Sequence, residues 1–359
     1  MSILEPQTEQ SLQDSDFNDL LEPTEFLADI CVVIPAYNEA LVIEDSLKAL
    51  AQITDLAHVF VVSDGSKDNT AELARKHTDN VLEIVKNGGK ALALEQLIAH
   101  FGLSTKYRYI LFSDADSQLD PHFFEAIHDA AQKLPACIVG SVVSQKKGLV
   151  SAYRTVEYAL TQLIFKQAQS YIGTIAVAPG CASAYRSDVL RELHFGGGTL
   201  TEDYDLTLQI HAQRLGPIIY APKARVLTQD PLTIGDYWKQ IIRWHTGFWQ
   251  NFFLHRVYFP RRSVHYEILV LTLDSISWIA VITASIFFPV EFLRLLVLSL
   301  TVSWTLTAAV IIIEKTWWTI PYLPLFPFFQ LMNIIGYTYS FGRAVLGGKK
   351  LGWDKVQRY

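Results

Sequence analysis

The stretch Ile30-Cys31-Val32-Val33-Ile34-Pro35-Ala36-Tyr37-Asn38-Glu39 decides the fold. Its first six residues are an unbroken apolar, largely β-branched run, the pattern of a strand covered on both faces. The run then breaks into polar residues. The same change recurs downstream: His58–Val62 ends at Ser63-Asp64-Gly65-Ser66, and Tyr109–Phe112 ends at Ser113-Asp114-Ala115-Asp116. Val81–Val85 is a further short strand. Helical spacing fills the gaps over Glu39–Ala51, Thr70–His77 and Ala91–Phe101. Strands alternating with helices predict an α/β fold with an open, mostly parallel sheet. Ligands of such sheets bind at the carboxyl ends of the strands, where these polar motifs fall.

Further along, a helix is expected from Asp120-Pro121 to Lys133, a strand over Cys137–Val143, and helices over Ser151–Tyr171 and Leu200–Gln213. Tyr237–Tyr258 is aromatic and basic and reads as an amphipathic helix at a membrane surface. Tyr266–Phe288 and Phe292–Ile313 are each long enough to cross a hydrocarbon core of about 30 Å, with Asp274 inside the first. Only Pro289-Val290-Glu291 separates them, so they predict a tight hairpin. A third apolar block, Trp317–Leu346, carries Pro321, Pro324 and Pro327 and reads as a broken span or a re-entrant element. Arg256, Arg261 and Arg262 place the side before the first span in the cytoplasm. Lys349, Lys350, Lys355 and Arg358 pull the tail to that same side, against a count of three spans, so the topology of the last block stays open. The expected organisation is an acidic, disordered tail over 1–29, a catalytic domain over 30–236, an interfacial helix over 237–263, transmembrane helices over 264–346 and a basic tail over 347–359.

Composition narrows the class. Half of the 359 residues are apolar and only 18% are charged, too greasy for an ordinary soluble enzyme. A net charge of -6 excludes the basic field of a nucleic-acid binder. Three widely spaced cysteines predict neither a disulfide framework nor a zinc site. Residues 1–29 contain no Lys or Arg and no secretory signal, so the soluble domain is expected in the cytoplasm and the chain in the inner membrane as a multi-pass protein.

Each motif has a chemical reading and a plainer one. Asp114 and Asp116 can hold a divalent cation that bridges two phosphates, or form a surface turn. Asp64 can accept the N–H of a uracil, and Gly65 lets backbone approach a ligand closely; the alternative for Asp64 is a helix cap. Pro35, Tyr37 and Glu39 are candidate substrate contacts at the first strand's end, where Tyr37 can pack on a base or be a buried core tyrosine. Gly88-Gly89-Lys90 lacks the full ATPase phosphate-loop pattern, and Lys90 divides evenly between a phosphate contact and a solvated surface lysine. Asp203 in Thr201-Glu202-Asp203 can take a proton from an acceptor hydroxyl, or belong to a capping box. In Gln240-Ile241-Ile242-Arg243-Trp244, Arg243 offers a planar fork for diphosphate oxygens and Trp244 a face for a sugar ring. A snorkelling Arg beside an interfacial Trp is the plainer account. A lone His245 is more often structural.

In this order, with Pro179-Gly180-Cys181 and Tyr185-Arg186 between them, the motifs resemble glycosyltransferase family 2. The resemblance is to its membrane-embedded processive branch of cellulose, chitin, hyaluronan and poly-N-acetylglucosamine synthases. It covers Ile30 to Trp249, and it implies a GT-A nucleotide-sugar transferase fold followed by a C-terminal helical transmembrane region. It further implies inverting transfer from a UDP-sugar donor with Mg²⁺ or Mn²⁺ to a growing β-linked glycan. Asp64 then contacts uridine, Asp114 and Asp116 hold donor and metal, and Asp203 is the base. Gln240, Arg243 and Trp244 line the acceptor and diphosphate site. Two departures stand out: Ser63 replaces the first Asp of the usual Asp-Asp-Gly-Ser, and no membrane helix precedes the catalytic domain. A lipid-linked acceptor such as a polyprenyl phosphate, a homo-oligomer or secretion partner subunit, and an inactive sugar-nucleotide sensor or scaffold remain open alternatives.

Overall fold

Strand β1 (Ile30–Ala36) lies inside an eight-stranded sheet, where its apolar run requires it to be. Its side chains alternate with the pleat. Val32, Ile34 and Ala36 join one core with Ile43, Leu47 and Phe123; Cys31 and Val33 join a second, on the other face, with Leu94, Leu97 and Leu206. The computed structural model describes residues 23–145, 148–196 and 198–346. The expected tails over 1–22 and 347–359, Gly197 of the glycine loop and the side chain of Asp274 lie outside the described residues.

β1 pairs in parallel with β2 (Val59–Asp64), which pairs with β3 (Val81–Ile84); on its other edge β1 pairs with β4 (Tyr109–Phe112). Beyond β4 come β5 (Gln118–Leu119), β6 (Cys137–Ser144), β7 (Ser183–Arg186) and β8 (Ile218–Thr228), and the sheet order is β3-β2-β1-β4-β7-β6-β8-β5. The expected parallel arrangement therefore gives way at β7, which runs antiparallel to both β4 and β6. This reversal sets Ser183 opposite Phe112. It delivers Pro179-Gly180-Cys181, just before β7, beside Asp114, just after β4.

Local departures from the sequence reading have local causes. Pro23–Asp29, the end of the expected acidic tail, is helical because Phe26 is buried beside Tyr109 and His128. β8 contains Pro222, a residue that cannot donate to the ladder. The strand tolerates it where its register with β6 jumps, from Val139 opposite Tyr220 to Ser141 opposite Arg225. The long helix expected over Ser151–Tyr171 comprises Leu149–Leu160, a π-helical turn at Thr161–Lys166 and Gln167–Ile172. At that turn the Gln162 amide donates to Val142 O at 2.7 Å and accepts from Val142 N at 2.6 Å, as a neighbouring strand would.

The helix Ile234–Leu254, expected on a membrane surface, is packed by protein on two sides. On one side Asn251 Nδ2 donates to Thr201 O at 3.1 Å, and Gln250 Oε1 accepts from Leu200 N at 2.9 Å. On the other lies the helix Phe326–Leu346, where Trp249 Nε1 donates to Tyr337 O at 3.1 Å and Ser340 Oγ to Ile242 O at 3.3 Å. The third apolar block is thus broken into a 3-10 segment, Trp317–Leu325, carrying Pro321 and Pro324, and this packed helix. The expected hairpin comprises Ser263–Ala284 and Pro289–Ile313. Among the described residues only Pro289–Ile313 is a helix long and apolar enough to cross a membrane, with 25 residues and a mean hydropathy of 2.2.

Gly247 is where the Ile234–Leu254 helix presses on the Thr201 loop, since a Cβ there would stand 2.4 Å from Thr201 Oγ1. Gly247→Ala is expected to destabilise the protein by about 1–3 kcal/mol through this overpacking. Gly235→Ala in the same helix meets only an ordinary contact, Thr233 Oγ1 at 3.8 Å. Thermal melts in detergent should show a lower Tm for the first and none of that loss for the second.

Candidate active site

The exits of β1 and β2 are knitted together by their own side chains. Asn38 Oδ1 accepts from Lys67 N at 2.7 Å, Asn38 N donates to Ser66 Oγ at 3.1 Å, and Glu39 N donates to Thr70 Oγ1 at 2.8 Å. Pro35 lies in β1 opposite Val62, with Tyr37 and Glu39 just past it. The Asp64 carboxylate accepts from Gly88 N and Gly89 N, both at 2.8 Å, and from Asn87 Nδ2 at 3.0 Å. It is therefore already engaged in shaping the turn that begins the Lys90–Phe101 helix. Gly65, read as room for a ligand, has φ of +67°, and a Cβ there would stand 2.5 Å from Asn87 N. The close approach is to the protein's own backbone.

Seven expected site residues line one cavity of about 350 Å³: Lys90, Asp114, Asp116, Asp203, Gln240, Arg243 and Trp244. Pro35, Tyr37, Glu39 and Asp64 are not among its lining residues. Lys90 Nζ donates to Asp114 Oδ1 at 2.7 Å and lies 3.1 Å from Glu202 Oε1. Burial opposes its charge, but the Asp114 and Glu202 carboxylates outweigh burial and hold the lysine above its ordinary range. Lys90 is thus a paired internal cation, not a solvated one.

Asp203 opens the helix Glu202–Gln213. Thr201 makes no side-chain capping bond there, because its Oγ1 accepts from Asn251 Nδ2 at 3.1 Å, so the capping-box alternative fails. Asp203 Oδ1 accepts from Tyr204 N at 2.9 Å and Oδ2 from Gly180 N at 3.3 Å. Burial first, and the Glu202 charge second, push its pKa up to about 6, against the opposing pull of Lys90. A carboxylate poised there is suited to accept a proton near neutral pH.

The described residues hold no group of three or more His, Cys, Asp or Glu side chains able to hold a metal ion. Asp114 and Asp116 offer hard oxygen donors only. That pair fits a divalent cation that takes its remaining ligands from a diphosphate and water, not a closed protein cage.

Gln240, Arg243 and Trp244 share one helix face through their i, i+3, i+4 spacing. Gln240 Oε1 accepts from Arg154 Nη2 at 2.6 Å, and the Arg154 guanidinium carbon lies 4.4 Å from the Trp244 ring centroid. Neither Arg154 nor Glu202 stands out as a site residue in the sequence. The only signals are a lone cation among Tyr153 and Tyr158, and adjacency to Asp203. His245 is structural as expected: its Nε2 is 3.3 Å from Asn333 Oδ1, and burial lowers its pKa to about 4.

Residues 28–247 match the family model described as glycosyltransferase-like family 2. The chain belongs to this family. Within it, the chain is 27% identical over 274 residues to a poly-β-1,6-N-acetyl-D-glucosamine synthase of Staphylococcus epidermidis, covering 73% of this chain and 65% of that relative. The Staphylococcus aureus (strain COL) synthase of the same name is 26% identical over 268 residues, covering 71% and 64%. The chain thus spans somewhat less than two thirds of the length of these curated relatives. Among solved structures, a mannosyltransferase from Pyrobaculum calidifontis in complex with GDP-Man and Mn²⁺ superposes with a TM-score of 0.61. It has 16% identity and covers 89% of this chain and 88% of its own. That likeness shows the GT-A-like glycosyltransferase fold.

The raised pKa of Asp203 has a thermodynamic sign. The native state holds the proton up to about 6, against an ordinary value of 3.8, so stability falls as pH rises through that window. Asp203→Asn removes this burden. It is expected to stabilise the protein by about 1–2 kcal/mol near pH 7.5, after discounting for partial exposure, with the gain shrinking towards pH 4. Paired thermal melts at the two pH values check this, and a pH-independent change would overturn it.

Proposed function

We propose that the protein is a membrane-bound inverting glycosyltransferase that moves a hexose or N-acetylhexosamine from a UDP-sugar to a growing β-linked glycan at the cytoplasmic face. The observation carrying this reading is the single cavity that collects Lys90, Asp114, Asp116, Asp203, Gln240, Arg243 and Trp244 from distant parts of the chain. The family and the curated relatives support the reaction class and point to an N-acetylglucosamine donor.

The acceptor hydroxyl oxygen attacks the anomeric carbon while the bond from that carbon to the diphosphate breaks, inverting the centre. The hydroxyl proton passes to Asp203 and the nucleoside diphosphate departs. Lys90 and Arg243 supply positive charge as the leaving group gains negative charge. Trp244 offers an apolar face to a sugar ring. Asp114 and Asp116 would hold Mg²⁺ or Mn²⁺, which when bound offsets diphosphate charge. Lys90 must then share or release Asp114 Oδ1.

The membrane half of the proposal rests on Pro289–Ile313. Leu293, Val297, Leu298 and Val302 are all more than half exposed along it. An apolar surface of this extent is one that lipid covers. Arg256, Arg261 and Arg262, before Ser263–Ala284, favour a cytoplasmic catalytic side.

Purified protein in nanodiscs, given radiolabelled UDP-sugars with Mn²⁺, is expected to form a glycan whose length is read by sizing. Asp116→Ala and Asp203→Asn are each expected to reduce transfer by roughly 100-fold or more. Undiminished transfer by both would eliminate the reading, and one sugar per lipid would replace the polymer with a single transfer. The acid limb of kcat/KM should fall near pH 6, and Glu202→Gln should move it lower, because a neighbouring negative charge then no longer opposes ionisation of Asp203. A limb unmoved by that substitution would refute this electrostatic account.

A further inference from the structure

Arg154 belongs to none of the motifs, yet it is a buried guanidinium, 2% exposed, behind the wall that carries Gln240 and Trp244. Burying such a group costs several kcal/mol unless it is paired. Here Nη1 donates to Glu157 Oε2, and the buried Asp230 adds a second negative neighbour. Simple packing would be served as well by an apolar side chain, so the location of this cation calls for another use.

We infer that Arg154 is a positioning residue that presets Gln240 and Trp244 for the acceptor, an inference that rests on the proposed transferase reading. Three features carry it. First, Arg has only donors, so the 2.6 Å bond from Nη2 compels Gln240 to present Oε1 to it. The Gln240 NH₂ is then the end left for ligand oxygens, and its orientation is not a matter of assignment. Second, the planar guanidinium sits 4.4 Å from the Trp244 ring centroid and 4.7 Å from that of Tyr237, which pins the indole from behind. Third, Arg154 grips positions i and i+4 of one helix, which fixes the roll of the face that carries Gln240 and Trp244. The contacts that hold Lys90, Asp114 and Asp203 do not include Arg154.

The test separates positioning from folding. Full-length Arg154→Lys and Arg154→Met in nanodiscs are each expected to lose roughly 10- to 100-fold in kcat, the range for removing a residue that orients a site. The Kd for UDP with Mn²⁺ should stay within about twofold of wild type. Lysine keeps the charge but not the fork, so it should not restore the rate. Gln240→Ala should slow the Arg154→Lys enzyme much less than wild type, since the two residues act together. Wild-type rates in Arg154→Lys, or additive losses in the double variant, would overturn the inference. So would nucleotide affinity falling in step with the rate in both variants, because that marks a structural role. A wild-type protein that transfers no sugar would instead remove the proposed function itself.

Discussion

One ammonium group joins the two halves of the site. Lys90 arrives from the turn shaped by Asp64, Asp114 from the end of β4, and Glu202 from the helix that also carries Asp203. Without a cation between them, these carboxylates would repel one another in a partly dry cleft, and burial would drive them towards neutrality. The clasp keeps the cleft acidic while preventing it from being a bare cluster of like charge. It also explains why Asp203 rises only to about 6: Lys90 offsets part of what burial and Glu202 impose.

The parts of this protein that were legible in the sequence are those governed by local pattern. β4 falls on its expected residues, and β1 and β2 lie within a residue or two of theirs, because an unbroken apolar run ending in polar residues has few other solutions. Of the motif residues that meet in the cavity, Lys90, Asp114, Asp116 and Asp203 were legible because they sit at or just past element ends, and Gln240, Arg243 and Trp244, inside a helix, through their residue types and spacing. What was not legible depends on distant partners. β7 is four residues long and becomes a strand only because β4 and β6 flank it. Arg154 reads as one cation on a helix, and its importance emerges only when Gln240, 86 positions away, comes into contact. That three N–H groups of residues 87–89 donate to the Asp64 carboxylate is likewise invisible in the sequence.

The helix Ile234–Leu254 shows the same limit from another side. Its aromatic and basic face suits a lipid surface, and periodicity alone cannot distinguish lipid from protein as the apolar neighbour. In the structure, protein supplies apolar neighbours on two sides of it. Tyr237, Ile241, Trp249 and Phe252 are buried, and Asn333 of the C-terminal helix donates to Tyr237 Oη at 2.6 Å.

That sandwich bears on how the molecule divides. Motif reading draws a border near residue 236, with a water-soluble catalyst before it and an anchor after it. Yet the wall bearing Gln240, Arg243 and Trp244 is braced from behind by Phe326–Leu346, so the scaffold of the reaction chamber extends to the last described helix. A fragment ending at Gln213 would keep Lys90, Asp114, Asp116 and Asp203 and lose Gln240, Arg243 and Trp244. Any fragment that carries the complete cavity must therefore include nearly the whole described chain, its greasy C-terminal helix among the supports.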